Sequence, residues 1–351
     1  MHTRLLRTAA GLVLAAVLLS VPVCAEPSVS AVSAVLMDGR TGRILWEKNG
    51  SERSLIASTT KIMTGLLIVE DCDLSAEVAV PPEAEGMEGS SMYLRAGEIL
   101  TVEQLLYGMM LHSGNDAAVT LAMYHSGSLE CFSEKMNEKA QQLGLKNTHF
   151  SNPHGLDSEK NYSTAADLGK LTAYAMENTV FCQIVSTKQI SFDRWSLTNH
   201  NKLLWRYEGA VGVKTGYTKA AGRILVSAAE RNGRRLIAVT IHDPNDWADH
   251  AALLDYGFSA FEDQLLAEAG QIMASVPVLC GAEKYISAVV REAVLVPAAQ
   301  EETLEIRVNV PPLVFAPVMA GETAGSVEVL ADDVVIAEHP LYWRYSVLEE
   351  A

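Results

Sequence analysis

The segment Ala57-Ser58-Thr59-Thr60-Lys61 sets a serine and a lysine three residues apart at the edge of an apolar run. On a helix, positions i and i+3 share a face, so the amine can reach the hydroxyl. A serine hydroxyl is a weak nucleophile and needs an adjacent base. A lysine serves as that base only when neutral, which requires burial or a nearby positive charge to pull its pKa down. The positive end of the helix dipole pushes the same way. Taken alone, the pair reads equally well as a helix-start serine followed by a solvated lysine, although it is the only S-x-x-K in the chain. Two further groups could complete a reaction centre. Ser113-Gly114-Asn115 offers a hydroxyl that can relay a proton to a leaving amine and an amide that can hold a peptide carbonyl. Lys214-Thr215-Gly216 offers a cation and a hydroxyl that can anchor a carboxylate, with a glycine that lets another backbone lie close. Each also reads as an ordinary turn or strand end.

The elements around these groups can be read from periodicity. The run from Val32 to Lys48 alternates like two short strands around a glycine-containing turn. A helix follows Ser58. Residues 101–125 read as two helical pieces meeting at Ser113-Gly114-Asn115, the first with Thr101 and Gln104 in capping-box positions. Residues 167–178 form another helical pattern. Residues 222–241 read as a hairpin about Asn232-Gly233, and 246–263 as an amphipathic helix. Lys214 and Thr215 follow the β-prone Val211 and Val213, on a strand. Strands at both ends of a helical middle imply an α+β fold, an antiparallel sheet flanked by helices. From about residue 264 onward, short strand-like runs between turns imply a small all-β domain.

The order of the three groups is informative. S-x-x-K, then S-x-N about fifty residues on, then K-T-G about a hundred beyond, is the pattern of penicillin-recognising serine enzymes. The chain resembles the serine-type D-alanyl-D-alanine carboxypeptidases, the low-molecular-weight penicillin-binding proteins. The likeness runs over nearly the whole chain and includes residues 150–168, 199–205, 212–222, 232–239 and 316–330. It implies a β-lactamase/transpeptidase-like catalytic domain over 26–263 and an all-β C-terminal domain over 264–351. It also implies roles. Ser58 would attack the penultimate D-alanine carbonyl, with Lys61 as base, and Ser113 would protonate the departing D-alanine. Asn115 would hold the substrate amide, while Lys214 and Thr215, beside Gly216, would bind the terminal carboxylate. The backbone N–H groups of Ser58 and Tyr217 would form the oxyanion hole. Tyr217 stands where many relatives carry histidine, and His200 stands where some place an arginine near the carboxylate. The implied partners are a peptidoglycan stem ending in D-Ala-D-Ala and β-lactams as covalent inhibitors. No cofactor is implied. Two alternatives are a β-lactamase and a non-catalytic wall-binding protein. Against the first, residues 150–175 offer no counterpart of the deacylating glutamate, and Ser-Gly-Asn stands where class A enzymes carry Ser-Asp-Asn.

Composition narrows the remaining classes. Of 351 residues, 49% are hydrophobic and 20% charged, as in a folded globular protein. Residues 1–25 have the layout of a signal peptide: Arg4 and Arg7, an apolar run, then Val23 and Ala25 before cleavage. This predicts an extracytoplasmic enzyme that is secreted, periplasmic or associated with wall or membrane. Cleavage removes two arginines and no acid, taking the net charge from −16 to −18. Such acidity argues against nucleic acid as a partner. The four remaining cysteines, Cys72, Cys131, Cys182 and Cys280, lack metal-site spacing, and export would permit a disulfide among them. His154 reads as a loop-fixing residue, and His242 and His250 lack zinc-ligand spacing. The closing HPLYWRYSVLEEA is short and acidic, without the basic amphipathic face that would hold anionic lipid. A released or loosely held protein, or a truncated chain, would account for it.

Overall fold

The computed structural model describes residues 25–350, so the predicted signal peptide falls almost wholly outside the described residues. The frame is an antiparallel sheet of five strands: β1 (Ser33–Asp38), β2 (Ile44–Lys48), β3 (Ala210–Thr218), β4 (Gly222–Arg231) and β5 (Arg234–Ile241). Their order across the sheet is β2-β1-β5-β4-β3. β4 and β5 form the expected hairpin about Asn232-Gly233, with Arg231 opposite Arg234. Successive side chains of a strand face opposite ways, and both faces here are covered. Val35, Met37, Ile237 and Val239 enter the larger core, while Ala34, Leu36, Leu236 and Ala238 pack with Leu253 and Leu254 on the other side.

The helices are α1 (Lys61–Asp71), α2 (Val102–Leu111), α3 (Asn115–Ser126), α4 (Leu129–Gln142), α5 (Ala165–Ala175), α6 (Thr179–Ser186), α7 (Leu203–Arg206) and α8 (Asp246–Ala260). α5 lies on β1 and β5, whereas α8 lies on the opposite face, with Leu253 and Leu254. α1 is buried from Lys61 through Ile68 and touches α2, α3, α5 and α6. A helix enclosed on all sides needs apolar residues all round, and Ile62, Met63, Leu66 and Leu67 supply them. Lys61, its first residue, is therefore carried into the interior. α2 begins with the expected capping box. Thr101 Oγ1 accepts from Gln104 N at 3.2 Å, and Gln104 Oε1 accepts from Thr101 N at 2.9 Å.

The helical pattern over 246–263 is three residues too long. The helix stops at Ala260, where Phe261 turns to an extended backbone (φ −122°, ψ 139°) and pairs with Ala299. Burying the Phe261 ring against Tyr256 outweighs continuing the helix into Glu262 and Asp263. Beyond that point every regular element among the described residues is a strand. One pair, Phe261–Ala267 with Val294–Ala299, accompanies a six-stranded sheet built about Thr323–Ala331 and Val334–Trp343. Its core holds Val276, Ile286, Val296, Val327, Val329, Leu341 and Trp343. Arg43, in the turn between β1 and β2, joins the two parts by donating to Pro297 O and pairing with Glu302. Arg40 adds an ion pair to Asp263 at 2.9 Å. All four cysteines are free thiols; Cys72 and Cys182 are half-buried, and Cys131 and Cys280 are exposed.

Candidate active site

Ser58 lies in a 3-10 turn, Ala57–Thr60, that leads directly into α1. In a 3-10 helix residues i and i+3 eclipse, which aligns Ser58 with Lys61 more closely than an α-helix would. Lys61 Nζ stands 3.0 Å from Ser58 Oγ. It also donates to Asn115 Oδ1 at 2.6 Å and to His154 O at 2.6 Å. Lys61 has no solvent exposure. Burial holds its pKa well below the usual lysine value, Lys214 lowers it further, and Asp116 opposes them. A neutral amine has two hydrogens and one lone pair. In that form, with both hydrogens given to the two carbonyl oxygens, the lone pair is left for Ser58, whose hydroxyl would then donate. Burial, one of the causes expected from the sequence, contributes most, ahead of the charge of Lys214.

Asn115 is fixed from several sides. Its Nδ2 donates to Glu88 O at 2.6 Å, and its backbone N donates to Ser90 O at 2.7 Å. The same loop is braced by the buried Asp116 carboxylate, which accepts from Ser91 Oγ, Met92 N and Leu94 N. Ser113 sits in the sharp connection between α2 and α3 with φ 64°, and Ala57 has φ 44°. Such conformations cost about 1–3 kcal/mol for non-glycine residues and persist only where the surroundings impose them.

Lys214, on β3, is buried. It donates to Ser113 Oγ at 3.0 Å and to Thr215 O at 2.9 Å. Burial brings its pKa down to about 7. β3 is an edge strand of the sheet and lies against the 3-10 turn. A Cβ on Gly216 would come 3.3 Å from Ser58 N, Ile56 O and Ala57 Cβ, which is tight for any larger residue. The other flank of the turn is closed by the loop 152–156. Gly155, at φ 90°, lies so close that a Cβ there would stand 1.9 Å from Ala57 O. Asn152 Oδ1 folds this loop by accepting from Gly155 N at 2.7 Å and His154 N at 3.3 Å.

The groups face a cleft of about 700 Å³ whose lining includes Ser58, Ser113, His200, Thr215, Tyr217 and Arg223. Asp246 is the one carboxylate lining it among the described residues. His200 packs against His112 at 5.0 Å between ring centroids. Burial, together with Lys214 and His112, pushes its imidazole down to about 4, so at neutral pH it adds no charge. His154 contributes its carbonyl, whereas its ring accepts from Leu156 N at 3.1 Å and is held neutral by burial, at about 3. His250 bridges Ser227 Oγ and Thr240 Oγ1 inside the fold, at 2.6 and 2.9 Å.

The structure thus brings Ser58, Lys61, Ser113, Asn115, Lys214, Thr215, Gly216, Tyr217 and His200 around one cleft. Sequence reasoning missed the carbonyls of His154 and Glu88, the bracing Asp116, and Arg223. A backbone carbonyl leaves no side-chain signal. The sequence offered His154 only as a loop-fixing residue, which its ring is, through Leu156 N.

Comparison with known proteins agrees with this geometry. Residues 21–245 match the family model described as D-alanyl-D-alanine carboxypeptidase, and residues 261–348 match the C-terminal domain of penicillin-binding protein 5. The chain belongs to the D-alanyl-D-alanine carboxypeptidase family of serine peptidases. It is 36% identical to the D-alanyl-D-alanine carboxypeptidase DacF of Bacillus subtilis, over 89% of this chain and 84% of the relative. It is 33% identical to DacC of Escherichia coli, over 92% and 86%. Penicillin-binding protein 5 from Haemophilus influenzae superimposes with a TM-score of 0.81 at 31% identity, covering 93% of this chain and 99% of that one.

Proposed function

We propose that the protein removes the terminal D-alanine from peptidoglycan stem peptides through an acyl-enzyme on Ser58. The observation that carries this reading is the placement of the buried Lys61 Nζ, 3.0 Å from Ser58 Oγ and 2.6 Å from each of the carbonyl oxygens of Asn115 and His154. Lys61 takes the hydroxyl proton as Ser58 Oγ bonds to the penultimate D-alanine carbonyl carbon. The backbone N–H groups of Ser58 and Tyr217 hold the oxyanion. As the C–N bond breaks, Ser113, with Lys214 behind it, passes a proton to the departing amine. Asn115 holds the substrate amide, and Thr215 faces the terminal carboxylate. Lys61 becomes neutral again as the proton it took is passed on through Ser113 to the departed amine. It then takes a proton from the water that attacks the ester and returns it to Ser58 Oγ as the acyl bond breaks. A β-lactam would acylate the same serine, and no free carboxylate lines the cleft among the described residues to speed its departure as in a class A β-lactamase, because Asp246 is engaged by Arg223.

The test is to incubate the mature protein with a peptide ending in D-Ala-D-Ala and measure D-alanine, with labelled penicillin in parallel. Release of D-alanine together with a long-lived adduct supports the reading, and fast penicillin turnover would favour a β-lactamase. Wall binding without reaction would favour a recognition protein. The reading also places the enzyme outside the cytoplasm, in peripheral contact with wall or membrane. No helix among the described residues is long and apolar enough to cross a membrane. Fractionation of cells making the full chain checks that placement.

A further inference from the structure

The oxyanion hole of the proposed reaction takes its two N–H groups from distant parts of the chain, Ser58 on the 3-10 turn and Tyr217 on β3. Two such donors serve one oxygen only if turn and strand are held at a fixed separation. A Cβ on Gly155 would stand 2.9 Å from Ser58 N, and one on Gly216 would stand 3.3 Å from it. The turn is thus held between the loop 152–157 and β3, with a glycine backbone close on either side. Arg223, opposite Tyr217 on β4, turns its carbonyl to Asp243 N at 2.9 Å. In an antiparallel sheet the N–H and C=O of one residue point to the same side. The Tyr217–Arg223 pair therefore exchanges no ladder bonds, and Tyr217 N faces the open edge of β3.

The loop is fastened to α1 at two points. Thr64 Oγ1 donates to Pro153 O at 2.7 Å, and Lys61 Nζ donates to His154 O at 2.6 Å. Asn152 stiffens it from within, donating through Nδ2 to Leu156 O at 3.1 Å and accepting from Gly155 N and His154 N. Its far end crosses to the strand. Thr218, the residue after Tyr217, donates through Oγ1 to Asp157 Oδ1 at 2.8 Å and accepts from Ala221 N at 3.0 Å. Neither Asp157 nor Thr218 lines the cleft, so the pair acts through what it holds.

We propose that Asp157 is a positioning residue for the oxyanion. Its bond to Thr218 clasps the loop that backs Ser58 to the strand that carries Tyr217, and so fixes the gap between the two donors. This rests on the proposed peptidase activity and goes further, because it places a determinant of rate outside the three motifs and outside the cleft. The donors meet the oxygen best once the carbonyl has become tetrahedral, so the clasp favours the transition state over the bound peptide.

The experiment uses the mature full chain and measures kcat/KM on a peptide ending in D-Ala-D-Ala together with the inhibition constant of a peptide boronic acid. The boron accepts an electron pair from Ser58 Oγ and becomes a tetrahedral anion with one oxygen in the oxyanion hole. Asp157→Ala and Thr218→Val should each lower kcat/KM about tenfold to a hundredfold, as for a misplaced donor, and weaken the boronic acid by the same factor. Binding of the intact peptide, measured in a Ser58→Ala background, should change by less than about threefold. Asp157→Asn keeps an acceptor for Thr218 and should stay within about threefold of wild type in both quantities. The double variant should be no worse than either single one, since each removes the same bond. Thr218→Val, nearly unchanged in shape, carries the test if Asp157→Ala does not fold. Unchanged kcat/KM in the single variants, a loss of kcat/KM that the boronic acid does not share, an equal loss of intact-peptide binding, or losses that multiply in the double variant would overturn the assignment. A wild type that neither releases D-alanine nor binds the boronic acid would instead sink the peptidase reading itself.

Discussion

Asn115→Asp tests whether Lys61 works as a neutral base. The substitution preserves shape but puts a carboxylate where Asn115 Oδ1 lies 2.6 Å from Lys61 Nζ. At an effective dielectric of about 20, opposite charges 4 Å apart attract by about 4 kcal/mol, and one pH unit corresponds to about 1.4 kcal/mol. Neighbouring opposite charges accordingly shift pKa values by about one to three units. The sign is fixed: the new anion favours the ammonium, so the fraction of neutral Lys61 falls at any pH below its new pKa. Acylation by a fluorescent penicillin at pH 7 should therefore slow about tenfold to a thousandfold. The acid limb of its pH profile should move alkaline, and the rate should recover as the pH rises. The variant also loses the donor to Glu88 O, which would slow the reaction equally at every pH. A uniform loss with no shift of the limb would refute the neutral-base assignment.

Ser58→Ala should abolish both D-alanine release and penicillin attachment while leaving the melting temperature within a few degrees of wild type, as read by thermal denaturation. Gly155→Ala should cost about 1–3 kcal/mol in a denaturant titration and slow acylation at least tenfold, because its Cβ would collide with Ala57 O. His250, held by burial at about 3 against an unfolded value near 6.5, stabilises the native state fully above pH 6.5. That stability is lost as pH falls from about 6.5 towards 3, at up to about 1.4 kcal/mol per unit. Urea titrations of wild type and His250→Gln should show the shallower slope in the variant. Thr101→Ala should cost about 1 kcal/mol by removing the cap of α2 while leaving acylation unchanged, checked by denaturation and labelling together.

Much of the frame was legible because its signals are local. Asn232-Gly233 marks a hairpin wherever it lies between β-prone runs, and Thr101 with Gln104 marks a helix start by short-range hydrogen bonds. The three motifs were legible through their order, although each alone was ambiguous. What stayed hidden depends on distant packing. That the Lys61 pKa is lowered follows from α1 being enclosed by other helices, and no window around Ser58 contains that information. His154 acts through a carbonyl, which every residue possesses. Arg223 lies nine positions from Lys214 in a run that reads only as a strand, and it meets Asp246 through the pairing of sheet and helix. The end of α8 was misjudged because Tyr256, Phe258 and Phe261 continue a helical-looking spacing, while the partner that draws Phe261 into a strand, Ala299, lies far along the chain.

The position of β3 at the margin of the sheet has a bearing on solubility. A margin strand presents backbone donors and acceptors to which a strand from another molecule can add, and this is a common start of aggregation. Folded proteins usually blunt such margins with charge, proline or a bulge. Here the 3-10 turn bearing Ser58 lies against β3 at Gly216, close enough that even a methyl group would be tight. The turn packed against the strand leaves less of that margin open to a neighbouring molecule. Variants that enlarge residue 216 should therefore be judged by light scattering as well as by turnover, since a displaced turn would open the margin to self-association.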